Sequence, residues 1–431
     1  MCGIAGVWNV KDAFSVLHDV LLGLQHRGQE SVGVVVDGFK TIKGKGLVDT
    51  VLTEDRWEDA EKGIGHVRYS TAGSLEDIQP IVAFTRKGRL AIAHNGNIPN
   101  GEKWIEMLKE KGAVFQSSLD SEVFLHLISM SEGDLKESIV KALKKVPLAY
   151  SLLILHEEFL AAARDPYGVR PLFYGKYGDG IVVASEDAAL KAIGVEDIEE
   201  VPSGTVVFFS NKGTETVRFS KKEKRFCSFE FIYFARPDSH FLDQSVHIAR
   251  YRMGEELYRE NPIEADVVVP VLDSGLSGAM GFSSASGIPL DIGLMRNRYV
   301  GRSFIMPVDR EKIVKKKLVP IEDVVSGKRV VVIDDSIVRG TTMGIIVKIL
   351  REAGAKEVHV GIHSPPVRFP CFYGIDTARK KELVAGERAV EEVKKIVNAD
   401  SLFYLSLEGL KRAIGRSELC VACFSGEYLH E

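Results

Sequence analysis

The chain has 431 residues, 45% of them hydrophobic and 27% charged, a composition that suits two or three folded domains and excludes a fibrous or disordered chain. Its 56 lysines and arginines against 60 aspartates and glutamates leave a net charge of -4, with no basic field to hold a polyanion, so nucleic acid is not an expected partner. The first residues lack a secretory pattern, no apolar run is long enough for a membrane span, and five cysteines form no disulfide framework; the expectation is a cytoplasmic protein with reduced thiols and no membrane partner.

Cys2 directly follows Met1. A small residue at position two permits methionine removal, and the freed α-amino group, titrating near roughly 7.7 to 8.0, could then act as base for its own thiol. Taken alone, such a cysteine reads as a small buried hydrophobe. Next come strand-like stretches at 33–36, 90–94, 151–156, 159–164, 172–175 and 181–184, and helical periodicity at 120–130 and 135–146, which together read as a strand-rich layered α+β domain. Within it, Arg68 of HVRYST suits a bidentate pair with a substrate α-carboxylate. Asn95 and Gly96 of HNGN would sit in a turn after a strand, where a side-chain amide and a backbone N–H can donate to an oxyanion. Asp120 of SLDSE could take an α-ammonium or cap the helix that follows.

The basic run SKKEKR at 220–225 reads as a connection, dividing the chain into units 2–225 and 226–431. Beyond it, strand-like stretches alternate with helical ones at 266–270, 276–286, 329–333, 341–353, 357–363 and 390–397, which predicts a mostly parallel sheet covered by helices on both faces. In RVVVIDDSIVRGTT (329–342), Asp334 and Asp335 fall at the carboxyl end of a buried strand and can accept ribose hydroxyls. Ser336, Arg339, Gly340, Thr341 and Thr342 open a helix whose start favours phosphate. No GxxxxGK[ST] segment exists, so a nucleoside triphosphatase loop is absent. Cys227, Cys371 and the pair Cys420-x-x-Cys423 suit tetrahedral metal binding, with zinc and a [4Fe-4S] cluster both compatible with the spacing.

The ordered motifs MCGIAG, HRG, HVRYST, HNGN and SLDSE resemble the glutaminase domain of class II glutamine amidotransferases. That resemblance implies an N-terminal-nucleophile αββα sandwich with Cys2 as nucleophile, Asn95 and Gly96 as oxyanion hole, and Arg27, Arg68 and Asp120 holding glutamine. No leader precedes Met1 here, so methionine removal is the only processing expected. VVVIDDSIVRGTT resembles the 5-phosphoribosyl-1-pyrophosphate (PRPP) motif of type I phosphoribosyltransferases; Asp273-Ser274-Gly275 is placed like that family's pyrophosphate loop, and Ser274, Asp334 and Asp335 would then serve Mg²⁺. The cationic stretch 296–317 would be a lid, with Arg302 on the diphosphate. Both halves together resemble the glutamine PRPP amidotransferases. The implied reaction converts PRPP, glutamine and water into 5-phosphoribosylamine, glutamate and pyrophosphate at the start of purine synthesis. Ammonia would cross between two sites, with Tyr233 coupling them. One branch of that family holds a [4Fe-4S] cluster in these cysteine contexts, which favours the cluster over zinc. Purine nucleotide inhibitors and a homotetramer are implied in the same way. Other readings are an amidotransferase feeding a sugar isomerase, which the PRPP motif opposes, and a PRPP-binding regulatory protein with an inactive amidase.

Overall fold

The computed structural model describes residues 2–53, 57, 59–69, 77–297, 318–377 and 379–430. Among them, two antiparallel sheets stack in the amino-terminal half. One runs Ile198–Glu200, Phe173–Tyr177, Gly180–Ala184, Gly3–Trp8, Lys62–Arg68, Ser31–Val36 and Lys40–Lys45 from edge to edge. The other runs Gly213–Arg218, Thr205–Ser210, Leu160–Arg164, Tyr150–Leu155, Gly88–Gly96 and Ile81–Thr85. Alternation along each strand decides what each face buries. Ile4 and Trp8 join Ala91, Ala93, Leu153 and Leu155 in the layer between the sheets. Leu90, Ile92, Leu152 and Ile154 point the other way, onto helices Glu122–Met130 and Leu135–Lys145. Ala5 and Val7 meet helix Ala13–Gly23 through Leu17, Val20 and Leu21. The order helix, sheet, sheet, helix is the expected αββα sandwich.

The second half is built on four parallel strands in the order Val267–Pro270, Arg329–Asp334, Glu357–Ile362 and Ser401–Tyr404. Its central strand is a run of β-branched residues because both faces are covered. Val330 and Val332 pack on helices Thr341–Glu352 and Val390–Val397. Val331 and Ile333 face the side of helices Val246–Glu260 and Leu276–Ser286. That second core is continuous with the outer face of the amidase sheet, so Phe14 and Leu17 belong to one cluster with Phe231, Met253 and Phe282.

One local expectation changes. Asn95 and Gly96 are not in a turn; the strand continues through them, pairing Asn95 with Ser151 and Gly96 with Tyr150. Backbone pairing with the neighbouring strand outcompetes the Asn-Gly turn preference. Among the described residues no helix is long and apolar enough to cross a membrane.

Candidate active site

Cys2 is buried at the head of strand Gly3–Trp8. Its nitrogen donates to Asn95 Oδ1 at 3.3 Å and its thiol to the Tyr69 carbonyl at 3.7 Å. With Oδ1 engaged, Asn95 turns its amide Nδ2 to a buried position where no hydrogen-bond partner meets it among the described residues. A buried donor without an acceptor is costly in a resting protein and useful where an anion will form. Gly96 beside it has φ 155, and a Cβ there would fall 2.0 Å from the Ala149 oxygen; only glycine fits. His66, paired with Ile4 on the neighbouring strand, donates through Nε2 to the His94 carbonyl at 3.2 Å, and burial pushes its pKa down to about 3. Burial lowers His94 as well, partly opposed by Asp120. Both imidazoles are therefore neutral near pH 7.

Arg68 ends strand Lys62–Arg68, buried, and donates to the Asp77 carbonyl. Asp120 does not cap helix Glu122–Met130 through its carboxylate; Oδ2 accepts the Ile98 N–H at 2.6 Å, which ties it to the segment after Asn97. Arg27 is wholly buried. It donates through Nε to the Cys2 carbonyl at 3.0 Å, through Nη1 to Glu186 and Glu230, and through Nη2 to Glu230 at 2.8 Å. These contacts place Arg27 behind the nucleophile, holding its backbone.

Sequence reasoning missed the partners of Arg27. Glu186 is fully buried and accepts from His26, Arg27, Ser239 and the Arg236 N–H. Burial alone would raise its pKa, but His26 and Arg27 hold it below the carboxylate range. Glu230 is shared with a second buried arginine, Arg170, at 3.4 Å, and Arg170 donates to the Tyr373 carbonyl. Glu230 opens a π-helical turn, Glu230–Phe234, that carries Tyr233; such turns recur at functional sites. Arg250 grips both ends of the turn, donating to Phe231 O at 2.7 Å and Ala235 O at 2.9 Å, and burial lowers its pKa to about 10 against the pull of Asp335 and Glu186. One cue was available: several of these charges stand in otherwise apolar stretches such as SFEFIYF.

At the second site, Asp334 closes strand Arg329–Asp334 and Asp335 follows it, buried. Burial and mutual repulsion push the Asp334 carboxyl well up. Burial also raises Asp335, opposed by hydrogen bonds from Ser274 and Ser336 and by Arg250. Ser274 thus hydrogen-bonds the Asp335 carboxylate. Gly340, at φ 78, turns the chain into helix Thr341–Glu352, where no side chain caps the first amides and Thr341 and Thr342 are exposed. Arg339 pairs with Glu382 at 2.6 Å on the surface, and Arg296 pairs with Asp273. Arg302 lies outside the described residues.

Cys227, Cys371, Cys420 and Cys423 gather at one place between the halves. Strand Phe226–Cys227 pairs in parallel with Leu419–Cys420, aligning the two cysteines. Burial pushes the Cys227 thiol up to about 11, and Cys420 and Cys423 are raised by burial and then by the other thiols of the group. Four neighbouring thiols form a donor set that suits a thiophilic metal. Among the described residues, however, no three metal-binding side chains converge on a single ion.

Two family profiles match: a glutamine amidotransferase domain over residues 66–192 and a phosphoribosyl transferase domain over 245–363. Fold and sites together define a two-domain glutamine-dependent transferase of the phosphoribosyl class. The amidophosphoribosyltransferase of Pyrococcus horikoshii is 47% identical, the match covering 99% of this chain and 96% of that protein. A glutamine PRPP amidotransferase from B. subtilis, solved with ADP and GMP, superposes with a TM-score of 0.93 at 44% identity, over 99% of this chain and 97% of that one. A structure described as the allosteric regulatory enzyme of purine biosynthesis matches at the same score and identity, over 99% and 96%. The chain belongs to the amidophosphoribosyltransferase family.

Proposed function

We propose that this protein makes 5-phosphoribosylamine from PRPP and glutamine, opening purine synthesis, with the two chemistries in different halves divided at 225/226. The observation that carries the reading is the pairing of the Cys2 nitrogen with Asn95 Oδ1 while Asn95 Nδ2 is buried without a partner. In this reading the α-amino group takes the Cys2 proton, the thiolate attacks the glutamine amide carbon, and Asn95 Nδ2 with the Gly96 N–H receives the oxyanion. The α-ammonium returns that proton to the departing nitrogen, ammonia leaves as a thioester forms on Cys2, and a water hydrolyses the thioester to glutamate and the free thiol. Arg68 and Asp120 hold the amino-acid end, and Arg27 fixes the Cys2 backbone.

At the other site, Asp334 and Asp335 bind the ribose hydroxyls and the start of helix Thr341–Glu352 binds the 5-phosphate, with Ser336, Arg339, Gly340, Thr341 and Thr342 supplying donors. The raised carboxyls of Asp334 and Asp335 suit a Mg²⁺ arriving with PRPP, and Ser274 would share in holding it. Bound there, Mg²⁺ neutralises the departing pyrophosphate. Arg302 is assigned to that diphosphate by resemblance. Ammonia must cross neutral, since ammonium has no lone pair to attack with. Tyr233, on the π-helical turn, is assigned the coupling role by resemblance. His363, pushed down to about 3 by burial and Arg250, keeps a neutral ring next to the Ile232 backbone.

Cys227, Cys371, Cys420 and Cys423 would hold a [4Fe-4S] cluster, which when bound supplies a covalent tie among three segments of chain. The resemblance favours that occupant over zinc, and burial and then the neighbouring thiols raise Cys420 and Cys423. Five free thiols suit the cytoplasm. ADP and GMP on the B. subtilis relative support purine nucleotides as inhibitors here, and a homotetramer is the assembly we expect by sedimentation. The decisive assay mixes protein, PRPP and amide-labelled glutamine and follows labelled phosphoribosylamine; unlabelled product, or none, rejects the reading.

A further inference from the structure

We propose that the loop carrying Cys371 is the back wall of the amidase oxyanion strand, and that Phe372, Tyr373 and Gly374 are positioning residues for amide cleavage although they lie in the sugar-site half. The inference rests on the amidase reading above. Asn97, directly after the oxyanion pair, donates through Nδ2 to the Phe372 carbonyl at 3.1 Å. Gly374 lies against Gly96: a Cβ built on it would fall 3.1 Å from the Gly96 carbonyl carbon, 3.2 Å from its oxygen and 3.3 Å from its Cα, and its φ of 107 already favours glycine. Arg170, from the amidase half, donates to the Tyr373 carbonyl through Nε at 2.8 Å and through Nη2.

The wall is itself clasped from behind. Tyr373 is buried, and its hydroxyl accepts the Leu429 N–H at 2.6 Å and meets His430 Nδ1 at 2.8 Å. Tyr428 donates to the Pro370 carbonyl at 2.7 Å, and the N–H groups of Arg368 and Phe369 donate to the Cys423 carbonyl. The carboxyl-terminal segment thus holds the loop, and the loop seats Gly96. Oxyanion donors work only when their position is set before charge develops, and a 1 Å error in a reacting geometry can cost about 100-fold. None of these contacts involves Asp334, Asp335 or helix Thr341–Glu352.

Gly374→Ala presses a methyl group on Gly96 and is the direct test. The full-length protein is assayed with PRPP and either glutamine or an ammonium salt at alkaline pH. We expect the glutamine-dependent kcat to fall about 10- to 100-fold, with the glutamine KM and the ammonia-dependent rate each within about twofold of wild type. Tyr373→Phe, which removes the clasped hydroxyl without adding bulk, should lower glutamine turnover about 3- to 10-fold in the same selective way. Equal losses with both nitrogen sources, or no loss in either variant, overturn the inference. A wild-type protein that makes phosphoribosylamine from ammonia but not from glutamine overturns the amidase reading itself.

Discussion

The two sites treat buried charge in opposite ways. Around Cys2, the buried carboxylates Glu186 and Glu230 touch the guanidiniums of Arg27 and Arg170, and Glu186 is held below its ordinary pKa. Around the sugar site, Asp334 and Asp335 lie next to each other, and both carboxyls are driven up. A matched set of charges fixes geometry in advance, whereas a crowded acidic pair is under strain until a cation or a hydroxyl-rich ligand arrives. The charges behind Cys2 are matched within the chain, whereas Asp334 and Asp335 are left raised.

The strongest way to break this contrast is Cys2→Ala. It should lower glutamine-dependent synthesis roughly 10³-fold or more and leave ammonia-dependent synthesis within about twofold, read by product formation from each nitrogen source. Asp335→Asn should instead weaken both routes together, by roughly 10- to 150-fold, the range for a lost charge-assisted hydrogen bond. Stability sharpens the same point with the sign reversed. Glu230→Ala leaves Arg27 and Arg170 buried without their shared partner and should cost roughly 3 to 5 kcal/mol in denaturant unfolding.

For Asp335→Asn, unfolding should show a gain. A carboxyl raised on folding binds more protons in the native state, so its contribution falls as pH rises from the ordinary carboxylate range through the raised value. The variant should therefore gain over wild type at pH 7 more than at pH 4, with a Tm rise of roughly 2–4 °C at the higher pH, the shift that about 1 kcal/mol produces in domains of this size. Glu186, held low, has the opposite slope: its contribution is complete above the ordinary carboxylate range and is lost as pH falls through its depressed value. The smallest effect belongs to Arg339→Ala, which should raise the KM for PRPP about fivefold, as suits a solvent-screened charge, with an unfolding curve that overlays the wild type.

Much of the frame is legible locally. Runs such as VVVI before Asp334 can only be a covered strand, and helix 276–286 falls where its periodicity puts it. Cys2, Asn95, Gly96 and the acidic pair sit in short motifs whose chemistry is local. What the sequence hides is long-range pairing. Arg27 meets Glu186 and Glu230 across separations of 159 and 203 residues, and a lone glutamate in SFEFIYF carries no sign of two buried arginines. Strand Ser401–Tyr404 was missed because four residues offer too little alternation to distinguish an edge strand from a loop. Arg27 was assigned to glutamine from its motif, while its burial behind Cys2 emerges only once the two elements pack.

The pairing of Phe226–Cys227 with Leu419–Cys420 has a consequence for biosynthesis. Ser228 donates to the Cys420 carbonyl across 192 residues at 2.8 Å, so this segment lacks its strand partner Leu419–Cys420 until nearly the whole polypeptide has left the ribosome. At about 5 to 20 residues per second that wait is roughly 10 to 40 seconds. On the role proposed for Gly374, a chain not yet extended to that residue would lack the support under Gly96 and would spare glutamine before its acceptor site is complete.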